Sequence, residues 1–173
     1  MLINLTDIFS SEQKVEEKEI EFAPDCYELS GETYEILSKT PVKMQFTNIG
    51  KGKANIKGSM DLTLSMVCDR CLKSVEVPLA VSFESDISEE ALQDTQDADE
   101  FFYMDGLKLD TEKLISNEIL INWPPKVLCN ENCKGICKIC GNDLNLGDCG
   151  CDDFIPDPRM AVLKDIFNAD KEV

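Results

Sequence analysis

The chain has 173 residues, 43% of them apolar, which is enough for one ordinary domain or one domain with a small appendage. Its formal charge of −17 argues against a general binder of duplex nucleic acid, which needs net positive charge to displace counterions. No stretch approaches the roughly 18 apolar residues of a membrane span. The first residues lack a basic region followed by an apolar run, so we expect no signal peptide and a cytoplasmic protein without membrane contact.

The first half of the chain shows the period-two alternation that is typical of half-buried β-strands. One strand candidate lies at the end of the segment 13–22, and another spans residues 42–49. Small or apolar residues then occupy even positions of the segment 54–66 and odd positions of the segment 75–83. These last two runs predict a β-hairpin whose connection contains the motif Cys68-Asp-Arg-Cys71.

The second half begins with an acidic stretch, residues 84–100, which predicts a solvated or disordered loop. A short hairpin is predicted over 101–109, followed by a helix at about 110–122 that Pro124 ends. Asp157 and the proline after it predict the start of a terminal helix. One face of that helix is apolar, which favours packing over docking to a partner; it contains Val162, Leu163, Ile166 and Phe167.

The predicted fold class is therefore α+β. It comprises a mainly antiparallel β domain with a helix at about 110–122, a cysteine-rich zinc-binding C-terminal appendage and a terminal helix. We predict a division after residue 123. Residues 1–123 would form the β domain with its acidic loop, and residues 124–173 the cysteine-rich segment and the terminal helix.

Nine cysteines and no histidine constrain the chemistry. Without histidine the chain lacks the commonest general base and the mixed cysteine–histidine zinc site. In a chain expected to stay in the cytosol, cysteines indicate metal binding or redox chemistry. Six of them lie in residues 129–151, which contain too few apolar residues for a core, so a bound metal is predicted to shape this segment. An iron–sulfur site or a redox switch is the alternative.

One or two structural zinc ions are expected, with eight candidate ligands: Cys68, Cys71, Cys129, Cys133, Cys137, Cys140, Cys149 and Cys151. In one arrangement the last four form one site, while Cys129 and Cys133 join the hairpin pair in a second. In the other, a single site lies in the C-terminal cluster and the hairpin pair stays as thiols. Thioredoxin-like chemistry is disfavoured because no βαβ pattern surrounds the hairpin motif. Cys26 stands alone and is expected to be a small buried residue.

Basic residues gather in the strand region despite the acidic composition. Three lysines alternate with apolar residues and could share a solvent face, and an arginine lies at the predicted hairpin tip. The candidate RNA- or partner-binding residues are Lys43, Lys51, Lys53, Lys57 and Arg70. An ordinary solvated strand face is the alternative interpretation of the lysines. The single tryptophan, Trp123, is expected to be a packing anchor.

Three stretches, in this order and spacing, resemble the DUF177/YceD family of bacteria and plastids. They are Cys68-Asp-Arg-Cys71-Leu, the segment from Cys133 to Asn145, and the segment from Asp157 to Ile166. The similarity covers nearly the whole chain and is loose over the first 40 residues. It implies a role in accumulation of the large-subunit (23S) ribosomal RNA, with no enzymatic activity known for the family. The resemblance also implies proximity to a small basic zinc-binding protein of the large ribosomal subunit, because the genes commonly lie together.

Two functional hypotheses follow. In the first, the chain is a ribosome-biogenesis factor that contacts large-subunit ribosomal RNA or a pre-ribosomal particle through its lysines and Arg70. In the second, its acidic surface shields a small basic ribosomal protein, in the manner of a chaperone. A redox or metal-dependent enzyme is disfavoured, because histidine is missing and an all-cysteine site leaves no open coordination position.

Overall fold

The computed structural model describes residues 1–93 and 101–151, and these form an α+β fold dominated by antiparallel strands. The helices are α1 (Thr6–Ser10) and α2 (Thr111–Ile121), with a 3-10 turn at Ala91–Gln93. The strands are β1 (Leu2–Asn4), β2 (Val15–Ile20), β3 (Cys26–Leu29), β4 (Glu32–Lys39), β5 (Val42–Gly50), β6 (Lys53–Val67), β7 (Ser74–Ser88), β8 (Met104–Asp105) and β9 (Lys108–Asp110). The predicted fold class is thus confirmed.

The larger sheet is organised around the long strand β6. Its first half, Lys53–Ser59, pairs with β5, and Leu62–Ser65 pair with β4 along the same edge. Strand β7 pairs with β6 along its whole length on the opposite edge, from Lys53↔Ser88 to Val67↔Ser74. Strands β2 and β3 complete the order β2-β5-β6-β4-β3. The hairpin predicted from the two alternating runs is present, and its loop lies at one end of the sheet.

The core lies on the face that the even-numbered residues of β6 share. Ala54, Ile56, Leu62 and Leu64 are almost completely buried there, because alternate side chains of a strand point to the same face. Gly58 lies opposite Phe83 of β7, whose ring covers it so closely that a Cβ atom would stand 2.1 Å from the ring carbon Cζ. A glycine at this point therefore creates the space that an aromatic side chain of the neighbouring strand fills.

The second sheet, β1-β9-β8, and helix α2 complete the described core. Helix α2 begins as predicted, because the Asp110 side chain accepts hydrogen bonds from the backbone N–H groups of Glu112 and Lys113. Leu114, Ile115 and Ile119 are buried on its inner face. No helix among the described residues is long and apolar enough to span a membrane.

Two sequence predictions need correction. The acidic loop was expected to start at residue 84, but Glu84–Ser88 continue strand β7 in register with β6. Ile87 supplies the buried position that keeps this stretch in the sheet. Cys26 was expected to be buried, but it is exposed at the start of β3, because the alternation of that strand turns Tyr27 inward instead. The loop residues 94–100 and the predicted terminal helix lie outside the described residues, and the boundary after residue 123 stays a prediction.

Candidate metal centres

The first cluster starts from the loop between β6 and β7. The backbone N–H of Cys68 donates to the carbonyl of Lys73 (2.8 Å), and the N–H of Leu72 donates to the carbonyl of Cys68 (2.9 Å). These bonds close a tight turn that requires a positive φ of 60° at Leu72. Cys68 and Cys71 are both buried in it. The hairpin therefore holds two thiols side by side at the end of the sheet.

The segment that begins at Val127 contacts the loop between β6 and β7, 58 residues after Asp69. The N–H of Asp69 donates to the carbonyl of Val127 (2.9 Å), and the Val127 N–H donates to the Asp69 carboxylate (2.7 Å). The Arg70 guanidinium donates to the carbonyl of Cys133 (2.6 Å). This places the Sγ of Cys133 3.9 Å from that of Cys68, and the Sγ of Cys129 3.4 Å from that of Cys71. Arg70 lies exposed in the loop of the hairpin, and this one hydrogen bond joins its guanidinium to the returning chain.

The second cluster consists of Cys137, Cys140, Cys149 and Cys151. Its turn repeats that of the first: the N–H of Gly141 donates to the carbonyl of Cys137 (2.9 Å), and Gly141 has a φ of 74°. The N–H of Ile139 points at the Cys137 sulfur, 3.4 Å away. Backbone amides directed at a thiolate are the usual support of such ligands.

The donor atoms of both clusters fit a tetrahedral metal site. In each set the four sulfur atoms lie within 4.8 Å of one another. A Zn–S distance of about 2.3 Å in a tetrahedron implies S···S separations of about 3.8 Å. The sulfur positions therefore need little adjustment to take up an ion. Four thiolates leave no coordination position for a substrate, which is typical of structural rather than catalytic metal.

The acidity of the thiols differs within each cluster. Burial opposes ionisation of Cys68, but backbone N–H groups of Cys129, Cys71 and Arg70 outweigh it and lower its pKa to about 6. The pKa of Cys137 falls to about 7, because the N–H groups of Cys140 and Ile139 stabilise its thiolate. The neighbouring thiol of Cys71 raises the pKa of Cys129 to about 12, and that of Cys140 does the same for Cys151. Four neighbouring thiols cannot all ionise in the absence of metal, because the thiolate charges repel one another. A bound divalent cation offsets this repulsion.

One short segment, residues 133–136, connects the two clusters. The N–H of Ile136 donates to the carbonyl of Arg70 (3.1 Å), and Gly135 accepts from the N–H of Leu144 (2.9 Å). Gly135 is required here, since a Cβ would approach the Arg70 carbonyl oxygen to 2.9 Å.

Two side chains from the second cluster's long loop reach back to the first. Asn145 donates to the Cys133 sulfur (3.5 Å), and Asp143 forms an ion pair with Lys73 of the hairpin (2.6 Å). Sequence reasoning did not identify Asn145, Asp143 or Gly135 as site residues, because their partners are remote in the chain.

The predicted basic surface has acidic neighbours. Lys43 and Lys57 lie on the outer face of β5 and β6, and Lys51 and Lys53 lie at the turn between them, all exposed. The Lys57 ammonium forms an ion pair with Glu84 (3.0 Å), and Glu19 is the register partner of Lys43. The adjacent strands therefore offset part of the positive charge that the lysines carry.

Fold and sites together define a class of protein: an antiparallel β protein with two four-cysteine clusters of the structural type, the first of which includes the two cysteines in the loop of a long hairpin. The chain belongs to the family of large ribosomal RNA subunit accumulation proteins, YceD, whose model matches residues 56–167. No curated protein and no solved structure matches it. Family membership supports a role in accumulation of the large-subunit ribosomal RNA. The match covers most of β6, all of β7 and all eight clustered cysteines.

Proposed function

We propose that this protein is a non-enzymatic, cytoplasmic ribosome-biogenesis factor that supports accumulation and assembly of 23S ribosomal RNA, with two structural zinc ions. The family match over residues 56–167 carries the proposal. The all-sulfur donor sets support zinc in a structural role, with Cys68, Cys71, Cys129 and Cys133 around one ion and the remaining four clustered cysteines around the other.

The cellular test is depletion of the protein in its host. We expect the ratio of large-subunit to small-subunit ribosomal RNA to fall and large-subunit precursors to accumulate. Wild-type protein should restore the ratio, and a Cys68→Ser/Cys137→Ser variant should restore it poorly. If the ratio of large-subunit to small-subunit ribosomal RNA is unchanged after complete depletion, the proposal is wrong. Metal analysis of protein purified without added zinc should give two equivalents; less than half an equivalent would exclude the zinc assignment.

RNA contact is proposed for Lys43, Lys51, Lys53, Lys57 and Arg70. Each lysine that neutralises a phosphate releases a counterion. The slope of log Kobs against log salt therefore gives the number of such contacts. Changing Lys51, Lys53 and Lys57 to glutamine should reduce the slope of log Kobs against log salt by about 2, at about 0.7 per contact on single-stranded RNA. Changing Lys14, Lys108 and Lys113 to glutamine is the matched control. An equal reduction in both variants would show that the strand lysines have no special role.

A second candidate function is binding of a small basic protein of the large ribosomal subunit. The observation that favours it is the net charge of −17 together with the carboxylates of β2 and β7 beside the strand lysines. Acidic surfaces attract and shield basic partners in a salt-dependent way. Titration with that basic protein and, separately, with large-subunit RNA at the same salt concentration distinguishes the two functions.

A further inference from the structure

Leu72 adopts a backbone conformation that is costly for its side chain. Its φ of 60° lies in the left-handed region, which glycine occupies without a steric penalty. The equivalent position in the second cluster, after the second cysteine of its CxxC motif, is Gly141 with a φ of 74°. The same turn is thus built once with the favoured residue and once with leucine. Leu72 is also 64% exposed, so packing in the core does not account for it.

Leu72 lies on the wall of an open groove of about 930 Å³, so its exposed apolar side chain is available to a partner. The groove also contains Val67, 53% exposed, and the rings of Tyr34, Trp123 and Pro124. Trp123 is fixed in place, since it stacks on Tyr27 at 5.4 Å and meets the edge of Tyr34 at 4.8 Å. The groove therefore offers an aliphatic wall and a rigid aromatic wall.

The charge around the groove is negative. Its charged lining residues are Glu32, Asp69 and Lys126. The Tyr34 hydroxyl donates to the Glu32 carboxylate (2.6 Å), and this bond raises the pKa of Tyr34, with further contributions from burial and from the charges of Glu32 and Asp69. A phosphate-bearing ligand would be repelled by these carboxylates, whereas a cation would be attracted by them.

We propose that this groove binds a lysine- or arginine-rich protein segment that carries an aliphatic side chain. The aliphatic side chain packs against Leu72 and Val67, and a neighbouring cation lies beside the carboxylates of Glu32 and Asp69. The inference rests on the second candidate function, binding of a basic protein, and names the surface that performs it.

The test uses the fluorescence of Trp123, which is the single tryptophan of the chain. A short synthetic peptide of lysine, leucine and glycine is titrated into the full-length, metal-loaded protein. We expect its binding to change the emission, and Leu72→Gly to weaken it about tenfold through loss of one buried aliphatic contact. Glycine keeps the turn, as it does at Gly141, and metal content confirms that the variant is folded. Leu146→Ala, at a leucine 83% exposed and outside the groove, should bind as the wild type does.

Binding to Leu72→Gly within about twofold of the wild type would overturn the proposal. So would equal binding of a peptide whose leucines are replaced by glycine, or an RNA oligonucleotide that binds with the same dependence on Leu72. If the intact basic ribosomal protein binds wild type and Leu72→Gly equally well, the groove assignment fails while the second candidate function stands. If neither peptide nor intact protein binds, both fail.

Discussion

Asn145 is expected to adjust the affinity of the first cluster from within the loop of the second. Its amide donates to the Cys133 sulfur over 3.5 Å, and its carbonyl oxygen accepts from the N–H of Lys134 (2.8 Å). A hydrogen bond to a charged group contributes about 1.5–3 kcal/mol. The exposure of Asn145 places this one at the lower end, about 1.5 kcal/mol. Asn145→Ala should therefore weaken zinc binding at the first cluster about tenfold, as removal of such supporting partners usually does.

The assay is zinc competition with a chromogenic chelator in the otherwise wild-type protein, because the second site shapes the loop that carries Asn145. Asn142→Ala is the matched control, because Asn142 contributes its backbone carbonyl to the Cys137 N–H and that carbonyl remains. Cobalt substitution gives a second measurement, since the absorption of the tetrahedral thiolate complexes follows the loss of metal from each variant. Equal zinc affinities for Asn145→Ala and Asn142→Ala would refute the assigned role of Asn145.

Three further results are expected. Gly58→Ala should lower the free energy of unfolding by about 1–3 kcal/mol in urea denaturation, because the new methyl group must displace the ring of Phe83; a loss no larger than that of Ser59→Ala on the exposed face would contradict this. Asp110→Ala should cost about 1 kcal/mol by the same measurement through loss of the α2 cap, and Asp105→Ala is its control. Removal of metal by chelation should expose the amides of residues 127–151 to hydrogen exchange while the β6–β7 pairing stays protected, since the main core contains no cysteine. Simultaneous loss of protection in both regions would show that the clusters support the whole fold.

The alternation of small and apolar residues was sufficient to predict β6 and β7, because a strand buried on one face must repeat every two residues. The same alternation placed Cys68 and Cys71 in the loop that connects these two strands. The same rule misplaced the end of β7. The charges of Glu84 and Asp86 suggested a loop. Both residues alternate with Ser85 and Ile87, however, and therefore lie on the exposed face of the strand. Composition alone did not distinguish an acidic strand face from an acidic loop.

The cysteine spacing predicted which eight residues are candidate ligands and allowed two ways of sharing them. The structure brings them together in the two groups of the first arrangement. What spacing could not supply is the set of contacts that make the groups possible. The Asp69–Val127 bonds and the Arg70–Cys133 bond join segments about 60 residues apart, and no local pattern encodes such a pairing. Asn145 was part of a recognised motif, yet its role depends on the sulfur atom of Cys133, 12 residues earlier in the chain.

The first cluster has a consequence for synthesis of the protein. Its ligands come from two parts of the chain, with Cys71 and Cys129 separated by 58 residues. At about 5–20 residues per second, the second pair leaves the ribosome about 3–12 seconds after the first. During that interval the nascent hairpin carries two thiols that have no partners and are open to oxidation or to other soft metals. Correct assembly of this centre is therefore a matter of timing as well as of structure.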